Sequence, residues 1–180
     1  MSAGEPAGSR IERRSPDDPR RGWRYWRLTP ETRLQSVSQR GFTWEPARPL
    51  VARCAGAGVA GHDTPDLGCA CGVHASVDVA ALHADALCLV PGPLVVGEVD
   101  LWGRVVVDEH GFRGEYAYPR RLDVVEETVA GVVSLDEAVD GLAGYGVAVG
   151  TTPLMDAVGP ASATILSFLA MSGASPPPER

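Results

Sequence analysis

Cys54, Cys69, Cys71 and His74 place three thiols and an imidazole within one loop-rich stretch of the chain. Thiolates and a neutral imidazole are the ligands zinc takes in tetrahedral structural sites. Cys71-Gly72-Val73-His74 leaves a two-residue gap, over which a tight turn brings both side chains to one ion. Cys69-Ala70-Cys71 is tighter than the usual paired knuckle, and Cys54 closes the site across a long loop. His62 lies inside that loop as an alternative ligand, and Asp63 or Asp66 could serve an open, catalytic ion. An iron–sulfur cluster is the lesser alternative to zinc on the same side chains. The competing reading makes Cys54 a core thiol and the Cys69/Cys71 pair incidental. Cys88, inside the apolar run Ala86-Leu87-Cys88-Leu89-Val90, reads as core.

Other chemistries are weaker in this sequence. A Cys69–Cys71 disulfide would be strained and reducible, with His74 able to lower a thiol pKa, which makes a redox switch a second reading. Gly56-Ala57-Gly58-Val59-Ala60-Gly61 matches the dinucleotide fingerprint by letter. That fingerprint needs a helix directly after it, and His62-Asp63-Thr64-Pro65 cannot supply one. Glu98, Asp100 and Arg104 share a strand face near Arg113 and Glu115, which reads as a cross-strand ion-pair ladder before it reads as acid–base machinery. Trp23, Arg24, Tyr25, Trp26 and Arg27 could stack bases, but the same pattern suits indoles filling a core under covering arginines. No nucleophile elbow, zinc-protease helix or Walker loop occurs, so a non-enzymatic protein is the leading reading.

The elements that would position the thiols are mostly strands. Gly22–Leu28 alternates large side chains and stops at Thr29-Pro30, and Leu34–Val37, Phe42–Trp44 and Leu50–Cys54 read as short strands. Ala75–Leu89 carries apolar residues at helical spacing, with Ser76 as its expected cap. From Leu94 to Val107 the period is two: Val95, Val99, Leu101, Val105 and Val107 fall on one face. Asp108–Gly111 turns the chain, and Phe112–Tyr118 returns as the second arm of a hairpin that Pro119 is expected to end. Ser134-Leu135-Asp136-Glu137 is a capping box opening a helix toward Gly144. These elements predict an α+β domain: a small, mostly antiparallel sheet with two or three short helices and a cysteine-rich loop.

Length and composition frame this reading. The 180 residues suit one domain, and 21 glycines with 15 prolines favour loops and short strands. Residues 1–53 hold 11 arginines against 6 acids, whereas 54–180 hold 5 against 17. Acids interrupt the basic front, which argues for a solvated tail over a nucleic-acid arm. Residues 1–21 are expected to be disordered, 22–149 globular, and 150–180 a weakly ordered tail with a possible short helix near Ala161–Met171. No apolar leader opens the chain and no run is long enough to span a bilayer, so a reducing cytoplasmic setting without membrane contact is expected.

Several segments occur in this order: Gly22-Trp23-Arg24-x-Trp26-Arg27, Trp44-x-Pro46, Ala52-x-Cys54, Pro65-x-x-x-Cys69-x-Cys71-Gly72, and Gly97-Glu98-Val99-x-Leu101-Trp102-Gly103-Arg104-Val105 followed by Gly111-Phe112-Arg113 and Ala117-Tyr118-Pro119. In order and spacing they resemble a family of small hypothetical proteins common in GC-rich soil bacteria, with a C-x-C-G loop and an E-x-x-L-W-G-x-V hairpin. The resemblance covers about Gly22 to Leu122 and implies no activity. It groups Cys54, Cys69, Cys71 and the Leu101–Val105 hairpin into one module. His74 stands where the family pattern has Tyr, so the resemblance leaves the fourth ligand to Cys88, a water or another histidine. The expected function is a zinc-stabilised protein-interaction module, with a thiol- or metal-dependent enzyme or redox switch as the alternative.

Overall fold

The longest strand pair organises the molecule. In a computed structural model, which describes residues 8–37, 42–54, 61–86 and 89–172, strand β7 (Leu94–Val107) pairs with β8 (Gly111–Val125) along almost its whole length. Asp108 makes the turn between them, its Oδ1 accepting the amides of His110 and Gly111 at 3.0 and 2.9 Å. Pro119 does not end the second strand, contrary to expectation. It sits opposite Val99 at a register shift, where a bulge spares the ladder a proline's missing N–H.

The other strands attach to this pair. Among the described residues they are β1 (Arg10–Arg14), β2 (Arg20–Leu28), β3 (Leu34–Ser36), β4 (Thr43–Trp44), β5 (Leu50–Val51), β6 (Val73–Ser76) and β9 (Ala148–Thr152). β2 and β1 line the free edge of β7, while β6, β5 and β9 follow one another along the free edge of β8. Every pairing except β8–β9 is antiparallel. A single bridge, Trp23 opposite Ser76, joins β2 to β6 and closes the circuit β2–β7–β8–β6. The helices are α1 (Val79–Asp85), α2 (Glu126–Val129), α3 (Leu135–Leu142), α4 (Leu154–Val158) and α5 (Pro160–Ser172). The fold is α+β, as the sequence predicts, with more short helices than the two or three expected.

Strand alternation divides the apolar residues into two cores. Trp26, Leu34, Trp44, Val95, Val99, Leu101, Leu122 and Leu142 lie in one, where Trp26 and Trp44 meet edge to face at 5.5 Å. Tyr25, Leu94, Val96 and Val125, from the opposite face of the same strands, form the second core with Leu82, Leu154, Val158 and Leu166 of α1, α4 and α5. Trp26 and Tyr25 are therefore core, and not a stacking platform. Burying a large apolar side chain in either cluster contributes about 1.5–3 kcal/mol.

Several expected boundaries shift. Residues 10–14 are not an unstructured tail: Glu12 bonds Arg10, Arg14 and Arg20 together, and the segment pairs with Gly103–Val107 of β7. Residues 150–172 are equally structured, through β9, α4 and α5. Ser76 belongs to β6 and not to a helix cap. Asp78 caps α1, with Oδ1 accepting the Ala81 amide at 2.8 Å. The capping box of α3 forms as read, Ser134 and Glu137 bonding reciprocally. Cys88, residues 1–7 and residues 173–180 lie outside the described residues. Among the described residues no helix is long and apolar enough to cross a membrane.

Candidate metal centre

Both arms of the cysteine loop hang on one edge of β8. Leu50 and Val51 of β5 pair with Ala117 and Tyr116, and the Ala52 amide continues the ladder to the Glu115 carbonyl at 2.8 Å. Cys54 follows two residues later. From the other side, β6 begins at Val73 opposite Gly114, so Cys71 and Cys69 arrive just before it. Because β5 and β6 are both antiparallel to β8, the end of one and the start of the other meet beside Gly114 and Glu115. That meeting point brings thiols 15 residues apart in sequence to a Cys54 Sγ–Cys69 Sγ separation of 3.7 Å.

His62 completes the group. Its Nε2 lies 3.3 Å from Cys71 Sγ, and the donor atoms of Cys54, His62, Cys69 and Cys71 all fall within 4.8 Å of one another. All four side chains are half-buried, and the thiols are free. The Cys54–Cys69 separation is far beyond the ~2.05 Å of a disulfide. It is close to the edge of a zinc–thiolate tetrahedron, about 3.8 Å for Zn–S bonds of ~2.3 Å. These four residues could hold one metal ion.

His74, expected as the fourth ligand, lies outside this group. It is the second residue of β6, where alternation turns Val73 and Ala75 inward and leaves His74 exposed. Its Nε2 is 2.9 Å from the Ala70 carbonyl instead. His62, the alternative ligand of the sequence reading, takes the fourth place. Asp63 and Asp66 also stand apart from the thiols, with carboxylates 3.8 and 3.6 Å from the Arg104 guanidinium. Glu98 and Asp100 are farther along the hairpin, ion-paired to Arg120 at 3.6 and 3.5 Å.

Two arginines fix the loop that carries the donors. Arg113 Nη1 donates to the carbonyls of Asp66, Cys69 and Cys71. Arg104 Nε donates to the Pro65 carbonyl at 2.7 Å. Arg104 reaches across because Gly103, at φ +75°, forms a bulge in β7. A side chain there would meet Glu115 Oε2 at 2.6 Å, the oxygen that accepts the Arg104 amide. Gly72 has a similar role beside Cys71. Its φ is +119°, and a Cβ would stand 2.9 Å from Pro65 Cβ and 3.0 Å from Arg113 Cβ. The sequence reading placed Arg104 and Arg113 in an ion-pair ladder and missed this function. The signal available was two arginines on the hairpin face that the cysteine loop must cross.

The chain matches no protein-family model, no curated protein and no solved structure at a significant level. Its chemistry therefore has to be argued from the site itself.

Proposed function

We propose that this protein is a zinc-stabilised, non-catalytic interaction module of the cytoplasm. Cys54, His62, Cys69 and Cys71 are its zinc ligands. The single observation that carries the zinc half of the proposal is the convergence of those four donors within 4.8 Å at the junction of β5 and β6. Three thiolates and one imidazole form a closed tetrahedral set, which holds structural zinc and leaves no position for an activated water. Neither nearby carboxylate is placed as a base, since Asp63 and Asp66 face Arg104. The ion's task is mechanical: it would join segments that bury little apolar area to the edge of a well-packed sheet.

The interaction half of the proposal rests on α5. Ile165, Phe168, Leu169 and Met171 are 42–78% exposed on a helix whose other side packs into the second core. A protein partner with a complementary apolar surface would cover them.

Elemental analysis of the purified protein, combined with thiol titration before and after chelation, tests the zinc half. The expected result is one zinc per chain, Cys54, Cys69 and Cys71 protected until chelator is added, and a lower melting temperature afterwards. Metal-free protein with those three thiols freely reactive would overturn it. Metal-free protein that oxidises to a Cys54–Cys69 disulfide would move the assignment to the redox alternative.

A further inference from the structure

Arg24 is a buried cation with no anion beside it among the described residues. It lies on β2 on the same face as Trp26, only 8% exposed, and no carboxylate pairs with it among the described residues. Its Nη1 donates to the His74 carbonyl and its Nη2 to Ser36 Oγ at 3.2 Å. The guanidinium carbon stands 5.3 Å from the Trp44 ring centroid. A guanidinium has five N–H donors, and Nε has no partner here. Burial pulls this arginine down from its ordinary value to about 10, a sign of how incompletely neutral groups replace water around its charge.

Arg24 also lines a groove of about 1060 Å³ among the described residues. The groove runs between the cysteine loop and α1, over β2, β6 and the start of β8. Its walls are substantially apolar: Leu50, Val73 and Phe112 belong to the core on Arg24's face, and Trp23 and Leu82 reach it from the opposite face. Four arginines line it against two aspartates, in a chain whose net charge is −7. Both aspartates are engaged, Asp85 by the Ser76 hydroxyl and Asp108 by two backbone amides. An apolar groove of this size with one desolvated charge is the usual form of a small-molecule site.

We propose that this groove binds an organic monocarboxylate with an aromatic or aliphatic body, and that Arg24 is its counter-charge. A single buried guanidinium matches one negative charge, because a dianion would leave surplus charge desolvated. The carboxylate completes the hydrogen bonding of a group that the protein satisfies only in part, and the body displaces water from the apolar walls. This goes beyond the interaction module proposed above and does not depend on it.

Calorimetric titration of the full chain with 1-naphthaleneacetate and with its neutral amide, 1-naphthaleneacetamide, provides the test. The expected result is one site per chain that prefers the acid by about tenfold or more, the scale of one charge-assisted hydrogen bond. Arg24→Lys should retain part of that preference and Arg24→Gln should abolish it, with the helix and strand signal of the circular dichroism spectrum unchanged. Equal binding of acid and amide would overturn the proposal, as would no binding of either or a preference that survives Arg24→Gln. Should Arg24→Gln fail to fold, the acid–amide comparison on the native chain and on Arg24→Lys decides it alone.

Discussion

Arg113 is the side chain on which the cysteine loop depends most, because one Nη1 gathers three carbonyls of that loop. Two of them belong to Cys69 and Cys71, so the guanidinium fixes the backbone from which both thiols project. Arg113→Gln should weaken zinc binding by about 10–100-fold, the usual cost of losing a group that orients metal ligands. Arg113→Lys should fall between, keeping the charge without the planar fork. Competition against a chromophoric chelator measures both, and unchanged affinity in Arg113→Gln would sink this role. Three of the four donors were legible in the sequence, because clustered thiols among glycines have few other uses. The fourth was not. Cys71-x-x-His74 has a suitable spacing, but β6 pairs with β8 and alternation turns His74 away. His62 reaches the thiols only once β5 and β6 have been laid on the same strand, a tertiary fact that spacing does not encode.

Among the elements, the β7–β8 hairpin was the most readable, since its two-residue period extends over 14 positions. Strand β1 was the least readable. Its five residues are RIERR, with no apolar alternation to mark them; what holds them is the backbone ladder to β7 together with the ion pairs of Glu12. The Arg20 hydrogen bond, more than any other contact, holds the Glu12 carboxyl at about 2, far below its ordinary 4.5. A carboxyl depressed in the folded state stabilises it fully above the ordinary value and progressively less as pH falls toward the lowered one. Protection of the amides of residues 10–14, taken relative to the unstructured exchange rate at each pH, should therefore fall between about pH 4.5 and 2. Glu12→Gln should show lower protection across the whole range and no acid step. An acid step that persists in Glu12→Gln would assign it to another group. The capping box of α3 was read correctly because it is local, and Ser134→Ala should cost about 1 kcal/mol, visible as a lower melting temperature.

Across the whole molecule, two cores on opposite faces of one sheet bury the large apolar side chains, and none of their buried residues comes from the cysteine loop. The site sits at an edge, where β5 and β6 are only two and four residues long. Zinc would add a cross-link there, so chelation should lower the melting temperature yet preserve the near-ultraviolet signal of the Trp26–Trp44 pair at low temperature. Loss of that signal on chelation would mean that the ion supports the core itself. The antiparallel α+β character was visible in the sequence, while the closure of β2–β7–β8–β6 depends on one long-range bridge that no local pattern announces. The most direct test of the central claim is the absorption spectrum of the chain loaded with cobalt(II), recorded for the native protein, His62→Ala and His74→Ala. Three thiolates and one imidazole predict intense charge-transfer and tetrahedral ligand-field bands that His74→Ala leaves intact and His62→Ala alters. Bands absent from the native protein, or lost with His74 and kept without His62, would contradict it.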